Sequence, residues 1–453
     1  MYDPKRIEEL DNWLKSEGID DIECMVADLA GIARGKAMPR TKFIEGLKKR
    51  DMKMPETLFG LTIHGDYALN DYLRETEQDV ILLPDLETIC KTPWQSEPTA
   101  GVICDCVYEN GQAVEFSPRQ ILRRVLDLYR NEGWQPIVAP EFEFYLIDRQ
   151  ENVESNPIPP RGRSGQRDTG SSPFSIDSLD EFPAFFDDIY DACEAQRVEI
   201  DTLIHEAGPA QYEFNVIHGD PLNVADQSFL FKRIGRQVAI RHNMFCTFMA
   251  RPYPDTFGSA MHIHQSVQDI ETGLNIFASA DDTDSELFHA HIAGMQKYLP
   301  AAMPFIAPYV NSYRRFGTGL SAPTNTHWSR ENRSVGLRVP SGPREARRVE
   351  NRIAGSDVNP YLAIAASLAC GYLGMKEGLS PSPEFKGSAY EARGRALPEH
   401  YLEGLHNLRD CKPLAKVLGE AFVNTYIQAK EMEYESFGTV LSPWENKYLL
   451  LSV

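Results

Sequence analysis

The sequence predicts an α+β protein with a small N-terminal domain and a larger mixed domain, and three observations support this prediction. The chain has 453 residues, more than a single hydrophobic core usually accommodates. Residues 1–110 contain short strand-like runs separated by proline and glycine, whereas longer helices and strands follow. Several of the later strands carry glutamate or histidine at alternate positions. We therefore expect two domains, residues 1–110 and 111–453, divided at Glu109-Asn110-Gly111.

The N-terminal domain is expected to begin with an amphipathic helix. The segment from Pro4 to Ser16 places Ile7, Leu10 and Leu14 on one face, and Gly18 is a typical stop signal. Strand-like runs follow at residues 22–29, 79–83 and 101–108.

The larger domain is expected to open with a strongly amphipathic helix that starts at Ser117-Pro118 and ends at Gly133. Strands are predicted at 136–147, 199–204, 245–249, 260–267, 336–339 and 348–353, and helices at 179–197, 224–242 and 361–375. Residues 152–173 are rich in Pro, Gly, Arg and Ser and predict a long loop, which suggests a lid, an interface segment or disorder.

Composition narrows the class of partner. The chain carries 46 Lys and Arg against 66 Asp and Glu, a formal net charge of −20, which argues against a nucleic-acid or anionic-membrane partner. No apolar run reaches the roughly 20 residues of a membrane span, and the charged N-terminus does not resemble a signal peptide. Eight cysteines without a Cys-x-x-Cys pair favour a reduced protein, and we expect a cytoplasmic location.

The segment from Ala139 to Leu146 suggests a cation site. Residues two apart on a strand share a face, so Glu141 and Glu143 point one way and the intervening aromatic residues the other. Two carboxylates on one face repel each other and are costly to bury unless a cation lies between them. Taken singly, either glutamate could lie on a solvated strand face.

Further residues of the same chemistry extend the candidate site. Glu206 and Glu213 flank a predicted turn. His262 lies in the predicted strand 260–267, and Glu350 lies in the predicted strand 348–353. Five carboxylates and one imidazole form an oxygen-rich set that suits Mg²⁺ or Mn²⁺ better than structural zinc. The candidate metal ligands are Glu141, Glu143, Glu206, Glu213, His262 and Glu350.

An arginine-rich block indicates anion recognition. Nine arginines and no lysine lie between residues 314 and 352: Arg314, Arg315, Arg330, Arg333, Arg338, Arg344, Arg347, Arg348 and Arg352. The guanidinium group grips carboxylate or phosphate with two parallel hydrogen bonds, although surface salt bridges are the alternative. Acids that bind metal beside arginines that bind phosphate are typical of a metal-nucleotide site. The chain has no Gly-x-x-x-x-Gly-Lys-Ser/Thr phosphate loop.

The order of these residues along the chain resembles that in the glutamine synthetase family, and the resemblance extends over nearly the whole chain. Residues 28–36 are similar to a motif of its N-terminal β-grasp domain, and residues 311–315, 332–334, 347–350 and 359–362 to its C-terminal signatures. The resemblance implies a β-grasp domain in residues 1–110. It also implies a catalytic domain in residues 111–453, with a curved antiparallel sheet flanked by helices.

The resemblance also implies roles for individual residues. Glu143, Glu206 and Glu213 would hold one ion, and Glu141, His262 and Glu350 a second. The positions implied to contact ATP are His264, Ser266, Arg333, Arg338 and Arg348, and those implied to contact glutamate are Gly258, Arg315 and Arg352. ATP would phosphorylate the γ-carboxylate of glutamate, and an amine would then attack the γ-glutamyl phosphate. The family further implies a homododecamer of two hexameric rings.

Departures from the family pattern bear on the nucleophile. Ser321 occupies the place of a glutamate that closes the ammonium pocket in ammonia-using members, and residues 57–62 lack their Asp-Gly-Ser-Ser segment. Phe257 replaces an asparagine that precedes the glycine matching Gly258. We therefore regard Arg333 and Ser321 as the candidate catalytic residues, the latter because it borders the expected amine pocket.

The motifs at residues 332–340 and 357–367 are most similar to the γ-glutamylpolyamine synthetase branch. This similarity implies ligation of glutamate to putrescine or another amine, within polyamine catabolism. Ammonia-dependent glutamine synthesis and a catalytically inactive assembly protein are the alternatives. Trp328 and Glu331 are hypothetical contacts for a distal ammonium. We expect Tyr390, near an adenylylated position of some members, to be unmodified, since its surroundings lack their motif.

Overall fold

The structure, a computed structural model, describes residues 2–452 except 75, 77, 151, 153, 154, 318–320, 391, 393 and 395. Within this part of the chain, two β-sheets each support one hydrophobic cluster. The smaller sheet lies wholly within the first 110 residues and the larger sheet beyond them. This arrangement supports the proposed division into residues 1–110 and 111–453, which stays a prediction.

The N-terminal sheet has the strand order β2-β1-β6-β4-β3, with β5 paired to β6. Its strands are β1 Asp21–Ala27, β2 Ala33–Pro39, β3 Lys53–Pro55, β4 Asp79–Pro84, β5 Cys90–Lys91 and β6 Thr99–Val107, and its helices are α1 Pro4–Ser16 and α2 Arg40–Lys49. The predicted α1 is confirmed, with Ile7, Leu10 and Leu14 buried. Strand β2 and helix α2 were not predicted, because β2 exposes most of its residues and shows no apolar alternation.

Alternation along β1 connects the two hydrophobic clusters. Ile22, Cys24 and Val26 pack into the cluster of the N-terminal sheet, whereas Met25 and Ala27 pack into the larger cluster. The N-terminal sheet is therefore covered on both faces, and one of those faces lies against the larger half of the protein.

The larger sheet has the order β12-β13-β14-β11-β7-β9-β8, and β10 also pairs with β7. Its strands are β7 Trp134–Asp148, β8 Ile200–His205, β9 Gln211–Val216, β10 Met244–Thr247, β11 Met261–Asp269, β12 Trp328–Arg330, β13 Leu337–Val339 and β14 Val349–Asn351. The expectation of an antiparallel sheet holds for every pairing in it except the edge pair β12 and β13, which is parallel.

Helices enclose the larger cluster. They are α3 Pro118–Arg130, α4 Ile176–Leu179, α5 Pro183–Ala195, α6 Pro221–Arg241, α7 Glu286–Ile306, α8 Val310–Tyr313, α9 Pro360–Glu377, α10 Tyr401–Asp410, α11 Lys412–Leu418 and α12 Glu420–Gly438. Helix α13 Pro443–Tyr448 has no buried residue and contributes nothing to this cluster. Helix α9 is buried around most of its circumference, as its alanine-rich sequence predicted. Among the described residues, no helix combines the length and the apolar character needed to cross a membrane. All eight cysteines are free thiols.

A buried arginine joins the two halves of the protein. Arg119 on α3 is only 3% exposed and pairs at 2.7 Å with Asp85, Asp105 and Asp226. Two of these partners, Asp85 and Asp105, lie within residues 1–110, whereas Asp226 lies on α6. The guanidinium group therefore neutralises carboxylates contributed by both halves.

We expect Arg119→Met to lower the free energy of unfolding by about 3–5 kcal/mol, because it leaves the buried carboxylate of Asp226 without its arginine counter-charge. Urea unfolding followed by intrinsic fluorescence measures this change. Arg123→Met is the matched control, since Arg123 pairs with Asp105 at 3.0 Å but is 35% exposed. Equal destabilisation by the two substitutions would contradict a special role for Arg119.

Candidate functional site

Strand pairing brings the predicted acids together. In the central strand β7, Glu141 lies opposite His262 of β11 on one side and opposite Asn215 of β9 on the other. Glu143 lies opposite Glu213 of β9. Residues far apart in the sequence therefore become neighbours because β7 is hydrogen-bonded to both β9 and β11.

The expected division of β7 into two faces is confirmed. Glu141 and Glu143 border a cavity of about 400 Å³, whereas Phe142, Phe144 and Leu146 are buried in the larger hydrophobic cluster. The aromatic face holds the strand in place, so the two carboxylates project from a rigid element.

The 400 Å³ cavity, which we call the acidic cavity, gathers most of the candidate residues. Four glutamates, four arginines and several small or apolar residues border it. Those predicted from the sequence are Glu141, Glu143, Glu206, Glu213, His262, Gly258, Arg315, Ser321, Arg333, Arg338 and Arg352. Gln211, Asn215, Phe174, Ile204, Ala207, Phe257, Ala260 and Ala322 also border it.

A second cavity of about 560 Å³ adjoins the first, and we call it the elongated cavity. His264, Ser266 and Arg348, three of the positions implied to contact ATP, border it together with apolar residues such as Val138 and Ile217. Glu141 borders both cavities. A ligand in the elongated cavity would therefore reach the acidic cavity at Glu141.

Among the residues that the structure describes, two groups of side chains could each hold a metal ion, and Glu141 belongs to both. Ligand atoms of Glu141, Glu213 and His262 lie within 4.8 Å of one another, as do those of Glu141, His264 and Glu350. This grouping differs from the implied one, because it joins Glu141 to Glu213 and includes His264. The assignment of ligands to individual ions stays a prediction.

Three carboxylates of the acidic cavity have too little positive charge around them to ionise in their usual pH range. Burial, followed by the charges of Glu141, Glu143, Glu206 and Glu350, raises the pKa of Glu213 well above its usual range. Burial and the charge of Glu206 raise the pKa of Glu143 to about 8. Burial also raises the pKa of Glu206. A set of buried acids that resist ionisation together fits divalent cations, whose charge would reverse these shifts.

Glu141 behaves differently because it has hydrogen-bond donors. Its carboxylate accepts from His262 Nδ1 at 3.2 Å and from His264 Nε2 at 2.9 Å. Burial alone would raise the pKa of Glu141, but these two contacts bring it well below its usual range. Glu141 is thus the acid of β7 that remains ionised most readily.

Arg348 fixes the tautomer of the neutral His264 ring. The Nε–H group of Arg348 donates to Nδ1 of His264 at 3.1 Å, so Nδ1 must be an acceptor. The proton of the neutral ring is then on Nε2, which donates to Glu141. Arg348 therefore orients an imidazole at the junction of the two cavities.

Glu350 is held between two arginines. It accepts from Arg338 Nη1 at 2.8 Å and also from Arg352. Burial opposes ionisation of Glu350, but neighbouring positive charge, above all that of Arg352, lowers its pKa to about 2. The buried Nε–H groups of Arg338 and Arg352 have no hydrogen-bond partner among the described residues. Such donors suit an anionic ligand.

Arg315 and Gly258 form a packed pair. Arg315 is 2% exposed and donates to the carbonyl groups of Ile353 and Arg352 at 2.8 and 3.2 Å. A Cβ atom on Gly258 would lie 2.3 Å from Arg315 Cγ and 2.6 Å from the carbonyl oxygen of Ala250. A side chain at position 258 would therefore overlap the aliphatic part of Arg315, which occupies that space.

The two candidate catalytic residues both border the acidic cavity. Arg333 is exposed and its charge acts on Glu206. Ser321 has a φ of +61°, and its carbonyl oxygen accepts from the hydroxyl of Tyr390 at 3.2 Å. Residues 318–320, which precede Ser321 in the segment compared with the family, lie outside the described residues.

Trp328 and Glu331 do not border the acidic cavity in the described part of the chain. Trp328 is buried and donates from Nε1 to the carbonyl group of Ser382 at 2.7 Å. The Glu331 carboxylate accepts from Arg338 and from the backbone of Ser341. Neither residue borders the cavity itself, although Glu331 pairs with Arg338, which does, so the hypothesis that they contact a distal ammonium stays a prediction.

Gln211 and Asp168 are among the residues near the site that were not predicted. Gln211 donates to the carbonyl group of Gly258 at 3.1 Å and lies 3.5 Å from the Glu143 carboxylate. Asp168 lies 2.8 Å from His205, the residue before Glu206. The proximity of Gln211 to Glu213 was a signal, whereas nothing in the loop sequence singled out Asp168.

Comparison with known proteins identifies the family. The profile of the glutamine synthetase catalytic domain matches residues 115–449. The chain belongs to the glutamine synthetase family. This ligase is 34% identical over 435 residues to gamma-glutamylputrescine synthetase PuuA of Escherichia coli K12, covering 95% of this chain and 91% of that protein.

A further relative supports the family, and a solved structure supports the fold. The chain is 31% identical over 458 residues to a glutamate–isopropylamine ligase of a Pseudomonas species, covering 97% of each protein. The solved structure titled "Apo GmaS without ligand" superposes with a TM-score of 0.84 at 23% identity, over 97% of this chain and 99% of the other. Enzymes of the glutamine synthetase family use ATP and divalent metal ions, and the buried acids of this ligase fit such ions.

A pH-dependent effect of Mg²⁺ is expected for this glutamine synthetase-family ligase. The folded-state pKa of Glu143, about 8, exceeds its ordinary value of 4.5, so the folded protein binds the proton more tightly than the unfolded chain does. Glu143 therefore stabilises the metal-free protein at low pH, and this contribution is lost as the pH rises from 4.5 to about 8. Because Mg²⁺ competes with protons, we expect it to raise Tm more at about pH 8.5 than at about pH 6.

Differential scanning fluorimetry with and without Mg²⁺ measures this difference. Glu143→Gln should flatten the pH dependence of the metal-free Tm, since the amide does not titrate. An identical Mg²⁺ shift at both pH values would contradict the prediction.

Proposed function

We propose that the protein ligates the γ-carboxylate of L-glutamate to an amine, with ATP as co-substrate and γ-glutamyl phosphate as intermediate. The observation that carries this proposal is the junction of the elongated and acidic cavities at Glu141. A nucleotide in one cavity and an amino acid in the other would meet where the acids and arginines converge.

The elongated cavity suits a nucleotide. Apolar residues such as Ile137 and Ile217 border it, together with the polar residues His264, Ser266 and Arg348. An adenine ring could pack on the apolar part while its phosphates approach Arg348 and the junction. Arg333 and Arg338 border the acidic cavity and would contact the terminal phosphate.

The metal ligands would be the six predicted residues, with His264 as an additional ligand or as a support for Glu141. When bound, Mg²⁺ or Mn²⁺ would neutralise the phosphate oxygens and increase the electrophilicity of the transferring phosphorus. The protein's own contribution is to hold Glu141 in place through His262 and His264.

The acidic cavity suits glutamate. The buried guanidinium groups of Arg315 and Arg352 supply positive charge, and the Nε–H of Arg352 is unpaired within the described residues. An α-carboxylate could accept from this donor, and a carboxylate is the anion that a planar guanidinium recognises best. Gly258 leaves the backbone beside Arg315 accessible to the same ligand.

The reaction balances in two steps. A γ-carboxylate oxygen attacks the terminal phosphorus of ATP, the bond to the bridging oxygen breaks, and ADP leaves. The amine nitrogen then attacks the acyl carbon, inorganic phosphate leaves, and the nitrogen loses a proton. Arg333 and Arg338 would stabilise the charge that develops on the transferred phosphoryl group.

An amine with a carbon substituent is favoured over ammonia. Ser321 and Ala322 border the acidic cavity where ammonia-using members place a glutamate, so space is available for carbon and an anion for ammonium is missing. Two relatives, the γ-glutamylputrescine synthetase and the glutamate–isopropylamine ligase, are named for amine substrates. We propose putrescine or another polyamine or monoamine as acceptor, and a cytoplasmic role in polyamine catabolism.

The test is ADP release with glutamate and ATP against a panel of ammonium, putrescine, spermidine, isopropylamine and ethanolamine, with products identified by mass. We expect γ-glutamylamides and a preference for at least one organic amine over ammonium. Turnover with ammonium that matches the best amine at equal concentration would overturn this preference. Absence of turnover with every acceptor would favour an inactive assembly protein.

We also propose a homo-oligomer, a dodecamer of two hexameric rings, as the family resemblance implies. Native mass spectrometry should then give about twelve times the chain mass of 51.2 kDa. A monomer at micromolar concentration would contradict this proposal.

A further inference from the structure

Residues 168–174, which we call the 168–174 segment, lie against the turn that carries Glu206. Asp168 Oδ2 accepts from the backbone N–H of Ala210 at 2.8 Å and lies 2.8 Å from His205 Nε2. The other ring nitrogen of His205 lies 3.0 Å from the carbonyl oxygen of Ser172. His205 is fully buried, so these contacts fix the segment to the end of β8.

Backbone hydrogen bonds complete this attachment. Ser171 N–H donates to the carbonyl group of Ala207 at 2.9 Å, and Phe174 N–H donates to that of His205 at 2.8 Å. The segment follows a path that most residues avoid, with φ of +75° at Gly170, +68° at Ser171 and +63° at Phe174. Strain of this kind persists only where the surrounding contacts determine the path, and it often marks a functional position.

The path places an aromatic ring beside the acidic cavity. Phe174 is 70% exposed yet borders this cavity, together with Ile204, Phe257 and Ala322. Ile176, two residues further along, is 69% exposed but does not border the cavity. Exposure of a large apolar ring beside an acidic site leaves apolar surface available to a ligand.

We propose that Phe174 determines acceptor specificity by packing against the alkyl part of the amine, and that the Asp168–His205 pair is a positioning element that holds it there. This inference rests on the proposed glutamate–amine ligation and extends it. An alkylamine would place its nitrogen towards Glu206 and the acidic cavity, and its carbon chain against Phe174 and Ala322. Ammonia has no carbon chain, so the ring contributes nothing to its binding.

The first test compares Phe174→Ala with Ile176→Ala. The two side chains are similarly exposed, but only Phe174 borders the acidic cavity. For Phe174→Ala we expect kcat/KM for n-butylamine or putrescine to fall about tenfold, because a few buried methylenes contribute about this factor. The kcat/KM for ammonium and the KM values for ATP and glutamate should stay within about twofold of wild type. Ile176→Ala should change none of these quantities.

The second test compares Asp168→Asn with Asp188→Asn. Asp188 pairs with His242 at 2.9 Å, a similar contact away from the acidic cavity, and so provides the matched control. Asp168→Asn should lower the ratio of kcat/KM for n-butylamine to that for ammonium about threefold to tenfold, mainly through the KM for the amine. A purely structural role would lower kcat for both acceptors equally and leave this ratio unchanged.

The outcomes separate the inference from the proposed function. If wild-type protein forms no γ-glutamylamide from any amine, the proposed function fails. If wild-type protein forms n-butyl or putrescine amides while Phe174→Ala and Ile176→Ala behave alike, the function stands and the role of Phe174 is refuted. Phe174→Leu keeps apolar contact and should restore most of the alkylamine activity; failure of this rescue would also refute packing as the cause.

Discussion

Glu141→Gln is expected to lower kcat for ADP release by about a thousandfold or more, because metal-assisted phosphoryl transfer depends on several kcal/mol of charge stabilisation. Glu141 belongs to both groups of candidate metal ligands and borders both cavities. The amide would keep the size of the side chain but lose the negative charge that the two histidines and an ion would share.

The matched control is Glu345→Gln. Glu345 borders the elongated cavity and is exposed, but it belongs to neither group of metal ligands. The Glu345→Gln protein should therefore retain nearly full activity, although it loses one negative charge, as the Glu141→Gln protein does. Mn²⁺ binding followed by isothermal titration calorimetry gives a second measurement, in which Glu141→Gln should weaken binding and Glu345→Gln should not. A Glu141→Gln protein with more than a tenth of wild-type kcat would contradict the central place of this residue.

Gly258→Ala is expected to raise the KM for glutamate about a hundredfold, since displacing a binding group by about 1 Å can cost that much. The added Cβ would overlap the stem of buried Arg315 and the carbonyl oxygen of Ala250, at 2.3 and 2.6 Å. Arg315 is fixed by the carbonyl groups of Ile353 and Arg352, so it could move only by losing those hydrogen bonds. We also expect a loss of stability of about 1–3 kcal/mol from the overpacking.

Gly219→Ala is the control for this substitution. A Cβ there would meet only Val224 Cγ2, at an ordinary distance of 3.5 Å. Steady-state kinetics with glutamate and ATP varied in turn should show a large change in KM for glutamate alone, and only for Gly258→Ala. A normal KM for glutamate in a folded Gly258→Ala protein would mean that Arg315 does not position this substrate.

Periodicity in the sequence predicted the elements whose burial follows a regular pattern. Helices α1 and α3 and strand β7 were predicted because their apolar residues recur at helical or alternate spacing. Strand β2 was missed because it lies at a sheet edge and is mostly exposed, so no apolar pattern marks it. The parallel pairing of β12 with β13 was equally invisible, since strand direction depends on the connection between strands.

The candidate site shows the same limit. The sequence assembled its acids and arginines, and the acidic cavity brings eleven of the predicted residues together. It did not show that His264 supports Glu141, because that contact depends on the register of β11 against β7. It suggested Trp328 and Glu331 as contacts for the amine, whereas neither of them borders the acidic cavity in the described part of the chain.

By itself, the sequence determined which chemical groups this ligase possesses: paired carboxylates at strand spacing, and nine arginines without a lysine between residues 314 and 352. These features are local, so residue type and spacing suffice to recognise them. Only the tertiary structure decided that Glu141 joins two cavities and that Asp168 and His205 place Phe174 beside the acidic cavity. Those relations depend on strand register and on contacts between distant segments, which no local pattern encodes.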